Sequence, residues 1–99
     1  MKIIIYAEKD LQVDLECIVL NLNKICKYLN FKIGVSDFVI NSPIISNPQT
    51  YKSLDKSLIY ETRTADYALL FTRKQYDNNY FFDSYENKVI ISFYGWEWL

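Results

Sequence analysis

Five charged residues fall where chemistry could be done. Glu8 and Asp10 follow the first apolar run, KIIIYA; Asp37 follows the second, around Phe31, Ile33 and Val35; Arg73 and Lys74 follow the third, YALLF. In an open sheet of parallel strands, ligands bind beyond the carboxyl ends of the strands, and these residues arrive there if the three runs are such strands. Acidic groups facing two basic ones suit a divalent metal and a phosphate, as in oxygen-rich Mg²⁺ sites. The competing assignment is structural: Asp10 caps a helix, Arg73 and Lys74 end a strand in solvent, and Glu8 and Asp37 make surface ion pairs worth little. No glycine occurs in AEKDLQ after the first run, so a phosphate-cradling glycine loop is missing there.

Other chemistries are excluded by composition. The chain has no histidine, which removes Ser-His-Asp and Cys-His catalysis and every His-ligated metal site. Cys17 and Cys26 are the two cysteines; on one helix they lie on different turns, beyond disulfide reach, and the expectation is two buried, reduced thiols in a cytoplasmic protein. A net charge of -1 from 11 basic and 12 acidic residues supplies no field to gather phosphate backbones, so nucleic acid is a disfavoured partner. No apolar run approaches the ~20 residues of a membrane span. No cofactor and no catalytic residue are implied, and the chain reads as a non-enzyme.

The elements that must position these residues follow from periodicity. Lys2 to Ala7 lacks alternation, as an interior strand does. Asp10 stands as a cap before a helix whose face is Leu11, Leu15, Ile18, Leu22, Ile25 and Leu29, at helical spacing. Phe31, Ile33 and Val35 alternate with polar or small residues as a second strand, parallel to the first by the handedness of βαβ units. Phe38 to Ile45 is a loop or a short edge strand. Asn47 and Pro48 open a second helix running to about Thr62. Tyr67 to Thr72 is a buried strand, Tyr80 to Phe82 a short edge strand, and Val89 to Tyr94 a further strand ended by Gly95. The whole is one α/β domain over residues 1–99: β-α-β-α-β-β, two or three layers, with a mostly parallel sheet of about four strands and an antiparallel or irregular edge.

Between the last two runs lies QYDNNYFFDSYE, too aromatic for an ordinary solvated loop. Aromatic anchors flanked by Asn and Asp are typical of partner-binding surfaces, because rings bury large areas at low entropic cost. Phe82 and Phe93 are the expected inward members; Tyr76, Tyr80, Tyr85, Trp96 and Trp98 form the expected partner-binding set. Stacking on single-stranded nucleic acid would need a basic groove beside the rings, and Arg73, Lys74 and Lys88 are the cations nearby. The apolar end Gly95-Trp96-Glu97-Trp98-Leu99 is expected to meet another chain, as a protein partner or by self-association.

The succession LLFTRKQYDNNYFF, a short turn, and VIISFYGWEWL is similar to the stretch just upstream of the zinc-binding helix in archaemetzincin-like metallopeptidases. The element order also resembles the N-terminal subdomain of that group. That resemblance implies a pre-catalytic subdomain. Its His-Glu-x-x-His motif is absent here, so no zinc ligand or catalytic residue carries over. The residues themselves point to a small non-catalytic protein-binding module. Composition heavy in Ile, Lys, Asn and Tyr suits a bacterial or phage origin, and an inhibitor of a partner protein fits this size and neutrality. A Rossmann-like nucleotide or metal binder is the remaining alternative.

Overall fold

The computed structural model describes residues 1–95. Lys2–Ala7 forms β1, with Ile3, Ile4, Ile5 and Tyr6 all buried, as its unbroken apolar run requires of a strand covered on both faces. Helix α1 (Leu15–Ile25) leads to β2 (Asn30–Ile33), which pairs parallel with β1. A long connection carries β3 (Ile44–Ile45), α2 (Gln49–Lys52) and α3 (Lys56–Thr62), and returns to β4 (Tyr67–Thr72), parallel to β1 on its other side. Then come β5 (Gln75–Tyr76), β6 (Phe82–Tyr85) and β7 (Lys88–Ser92). The main sheet has five strands in the order β2-β1-β4-β7-β6, parallel except for β6, and β3 pairs with β5 in a separate two-stranded ribbon. The α/β class and mostly parallel sheet match the expectation. No helix of the described residues is long and apolar enough to cross a membrane.

Two apolar clusters lie on opposite faces of the sheet. Ile4, Tyr6, Ala68, Leu70 and Ile90 point to one face and pack with Phe38, Ile40, Ile45, Tyr51, Leu58 and Tyr76. Ile3, Ile5 and Phe31 point to the other and pack with α1 through Leu15, Val19, Leu22, Cys26 and Leu29. Each aliphatic side chain buried in this way stabilises the fold by about 1.5–3 kcal/mol. The chain is thus three-layered where α1 lies, with the crossovers on either side of β1 going to opposite faces, as right-handed βαβ connections require.

Several boundaries differ from the periodicity. The N-cap of α1 is Asp14, not Asp10: the Asp14 carboxylate accepts the Cys17 N–H at 3.0 Å, so the residues before it form turns. The inner face runs Leu15, Val19, Leu22, Cys26, Leu29, again at spacings of four and three, and leaves Ile25 exposed. Cys17 is exposed and Cys26 half-buried, both as free thiols, so neither is the buried cysteine expected. The second helix is broken in two, because Asp55 caps α3 by accepting both the N–H and the hydroxyl of Ser57, at 2.8 and 2.5 Å. Asn47 caps nothing; its amide reaches the Ser84 carbonyl at 3.0 Å. Tyr80 and Phe81 precede β6, which starts at Phe82.

The exit from β2 is held by a single carboxylate. Glu61 accepts the Tyr6 hydroxyl at 2.7 Å and the backbone N–H groups of Val35 and Ser36 at 3.1 and 3.0 Å. Burial alone would raise its pKa, but these donors outweigh it and hold the carboxyl below its usual range. Burial, with Glu61 beside it, pushes the Tyr6 phenol upward. Gly34 lets this corner close: a Cβ there would stand 2.0 Å from the Tyr6 ring. Gly34→Ala should therefore destabilise the fold by about 1–3 kcal/mol in urea denaturation, and an unchanged midpoint would refute the close approach. Because Glu61 binds protons less readily folded than unfolded, its contribution is present above the ordinary glutamate range and is lost as pH falls below that range through its lowered folded value. Glu61→Gln should flatten that acid-side loss, measured as urea midpoints from about pH 7 down to about pH 3.

Candidate docking surface

The five charged residues separate in the structure. Glu8 is 4% exposed and Lys74 pairs with it, Nζ lying 3.0 Å from Oε2 and 3.2 Å from Oε1. The Ile40 N–H donates to Oε2 at 2.8 Å and the Thr72 hydroxyl donates to Oε1. Thr72 in turn accepts the Lys74 N–H at 3.1 Å. Asp10, Asp37 and Arg73 are exposed and join none of these bonds. The carboxylate at the point where the crossovers diverge is therefore saturated by the protein itself. It acts as a clasp joining the end of β1, the Ile40 loop and the end of β4, rather than as an open ligand position. Among the described residues no group of three or more His, Cys, Asp or Glu is placed to hold a metal ion.

The aromatic insert also divides, and not as its spacing suggests. Tyr76, expected at the surface, is 1% exposed, because β5 pairs with β3 and turns the ring into the core. Its hydroxyl donates to the Ile90 carbonyl at 2.5 Å. The neighbouring Tyr51 hydroxyl donates to the Asp83 carbonyl at 2.5 Å and accepts the Ile90 N–H at 3.0 Å, so two tyrosines lock the β6-β7 hairpin from inside. Desolvation pushes both phenols upward in pKa. Tyr85 is half-buried against the Tyr51 ring, with centroids 5.7 Å apart, and belongs to this core rather than to a free surface. Tyr80 is exposed as expected. Trp96 and Trp98 lie outside the described residues.

Phe82, expected inward, is 53% exposed, and strand parity gives the reason. It stands opposite Ile91, on the face of the sheet away from Tyr51 and Tyr76. Along β4 and β7 burial alternates: Ala68, Leu70, Thr72, Lys88, Ile90 and Ser92 are buried on one face. On the other, Leu69, Phe71, Val89 and Ile91 are only half-buried and Tyr67 is exposed. Register joins these residues into rows, Leu69 beside Val89 and Phe71 beside Ile91, with Phe82 next in the second row. Phe93, also expected inward, is half-buried with its ring edge-on to Phe71 at 5.3 Å.

Helix α1 seats its apolar side on Ile3, Ile5 and Phe31, with Leu69 and Phe71 of β4 packed against the same cluster, whereas Val89, Ile91 and Phe82 belong to neither core cluster of the described residues. The half-face continues over the edge into Phe81, whose ring centroid lies 5.1 Å from that of Phe82, and Tyr80. Asn79 to Asp83 line a depression of about 400 Å³ there. Sequence reasoning missed Tyr67, Phe71, Val89 and Ile91 because their runs are continuously apolar and read as strands covered on both sides. The arrangement offers apolar area and shape.

The clasp and the surface are separable by mutation. Glu8→Ala leaves the Lys74 ammonium, the Ile40 N–H and the Thr72 hydroxyl without their acceptor and should cost about 3 kcal/mol in urea denaturation. A variant as stable as the parent would show that the clasp does not hold the loop. No family model, curated protein or solved structure matches the chain.

Proposed function

We propose that this protein is a non-catalytic protein-binding module that docks through the half-face of its sheet that no described helix covers and the aromatic ridge beside it. The observation that carries this reading is the run Tyr80, Phe81 and Phe82, 60, 62 and 53% exposed, continuous with the half-buried apolar rows of β4 and β7. Contiguous apolar surface of this kind, rimmed by polar residues such as Asn79 and Asp83, marks an interaction site, whereas scattered apolar residues do not. Aromatic rings also dominate the energetics of protein interfaces. The saturated Glu8 clasp speaks against a metal or phosphate reading of the strand ends. On a target enzyme, a docked module of this size would act by covering surface, which is how an inhibitor without chemistry works.

A photo-cross-linking amino acid, benzoylphenylalanine, placed at position 82 tests this in cells producing the full chain. A discrete adduct is expected that fades when unlabelled wild-type protein is co-produced. The same group at position 28, where Tyr28 is 93% exposed away from this ridge, serves as the control and should give none. Equal labelling from both positions, or none from position 82, would remove the docking role.

A further inference from the structure

Charge is unevenly spread over the fold, although the whole chain carries only -1. Helices α1 and α3 run back against the parallel strands, so their last residues return to the strands' amino ends. Lys24 and Lys27 lie where α1 finishes, Arg63 caps α3 and Lys2 opens β1. The Met1 amine donates to the Tyr28 carbonyl at 3.3 Å and the Asp66 N–H to the Lys2 carbonyl at 2.9 Å, which gathers these segments at one end of the molecule. The carboxylates there are Asp66, which accepts the Lys2 N–H at 2.7 Å, and Glu86, whose Oε1 pairs with Lys88 at 3.0 Å. Among the described residues Lys2, Lys24, Lys27 and Arg63 make no ion pair. From Cys17 to Ser36 the chain has three lysines and no acidic residue. The opposite end carries Asp10, Asp14, Glu16, Asp37 and Asp55, all exposed.

Two large apolar side chains stand among the lysines of the basic end. Ile25 is 77% exposed and Tyr28 is 93% exposed. Cys26 and Leu29 take the positions against the sheet, so Ile25 and Tyr28 are left outside, with Lys24 and Lys27 beside them in sequence. Lysines at a helix carboxyl end are explained by the helix dipole. The dipole gives no reason for an isoleucine and a tyrosine to stand in water between them.

We infer that this basic end is a contact site for an anionic lipid surface, separate from the docking face proposed above. Charge complementarity selects the occupant: each lysine or arginine near an acidic leaflet strengthens binding about fivefold. The acidic opposite end orients the molecule, because a polarised charge distribution turns its basic side toward a negative surface. Shape agrees with charge. At such exposure Ile25 and Tyr28 project, and a fluid surface closes around a projection where a rigid partner needs a matching hollow. Tyrosine suits the headgroup level, its ring apolar and its hydroxyl wet, while the lysine stems lie along the apolar layer with their ammonium groups among the headgroups. Single-stranded nucleic acid would stack on rings set in a basic groove, and Ile25 offers no ring. The contact is peripheral, reversible and sensitive to salt, since the screening length falls from about 10 Å at about 0.1 M to about 3 Å at about 1 M.

Co-sedimentation of the full chain with lipid vesicles tests this. At about 0.1 M salt the protein should pellet with phosphatidylcholine vesicles containing about 30% phosphatidylserine, stay in solution with phosphatidylcholine alone, and be released at about 1 M salt. Lys24→Ala with Lys27→Ala should lower the partition coefficient about 30-fold. Ile25→Ser with Tyr28→Ser should lower it at least about tenfold on the same vesicles. Lys52→Ala with Lys56→Ala, on α2 and α3, should leave it unchanged. All six positions are exposed, so each variant should keep a urea midpoint close to the parent's. No pelleting with the acidic vesicles, equal pelleting with the neutral ones, or equal losses in the α2-α3 control would overturn the inference. Retention of a DNA strand of about 20 nucleotides that is lost in the Lys24-Lys27 variant, without vesicle binding, would overturn it too and assign the basic end to nucleic acid. Lipid coupled to benzoylphenylalanine at position 28 gives no protein-sized adduct, so this test and that of the docking face succeed or fail separately.

Discussion

A buried carboxylate is the constraint on which the rest of this structure depends. Glu8 is removed from water at the end of β1, where an unpaired charge would be unaffordable, so its oxygens must be satisfied by whatever the fold brings. The Ile40 N–H, the Thr72 hydroxyl and the Lys74 ammonium meet that demand. Their positions follow from it: the connection after β2 has to pass close enough to offer Ile40, which seats Phe38 and Ile40 in the core, and the chain has to leave β4 over Glu8. The same turn then delivers Tyr76 inward, where it and Tyr51 fasten the β6-β7 hairpin. A residue that could have opened a ligand site is thus the residue that closes one.

The two faces of the sheet differ as a result. One is covered along β1, β4 and β7 by the Ile40 loop, α2, α3 and the β3-β5 ribbon, so its residues are buried whether apolar or polar; Thr72 and Ser92 make their hydrogen bonds there to Glu8 and the Lys74 carbonyl, and the Lys88 ammonium reaches Glu86 at the surface. The other face is covered over β1 and β2 by α1, which leaves apolar side chains half-exposed on two strands flanked by neighbours on both sides. Such a face is stabilised by anything that excludes water from it.

The strands and the class of the fold were legible in the sequence because both are local. KIIIYA, YALLFT and the run from Val89 are recognised by composition alone, and the α/β succession follows from their order. The side of α1 that faces the sheet was nearly legible, at the right period but with Val19 and Cys26 in place of Ile18 and Ile25, because a helix can rotate slightly to suit the strand it covers. Its start was not, since Asp10 and Asp14 are equally good capping residues and the length of the link from β1 chose between them. The candidate site was half legible. Composition identified the aromatic segment, but not the division that sent Tyr76 inward and Phe82 outward.

By itself the sequence determined what chemistry is absent and what material is present: no histidine, no glycine-rich phosphate loop, near-neutral charge, and a concentration of rings in the last third. Those are properties of residue types, and no fold can change them. Tertiary structure alone decided which apolar residues would be covered. A strand presents its two faces with the same alternation whether or not a helix lies over them. Coverage depends on which crossover passes over which strand, and an edge group can be met by an amide brought from elsewhere, as Asn47 reaches the Ser84 carbonyl across 37 positions. The docking surface proposed for this protein is therefore written in what its described helices leave uncovered.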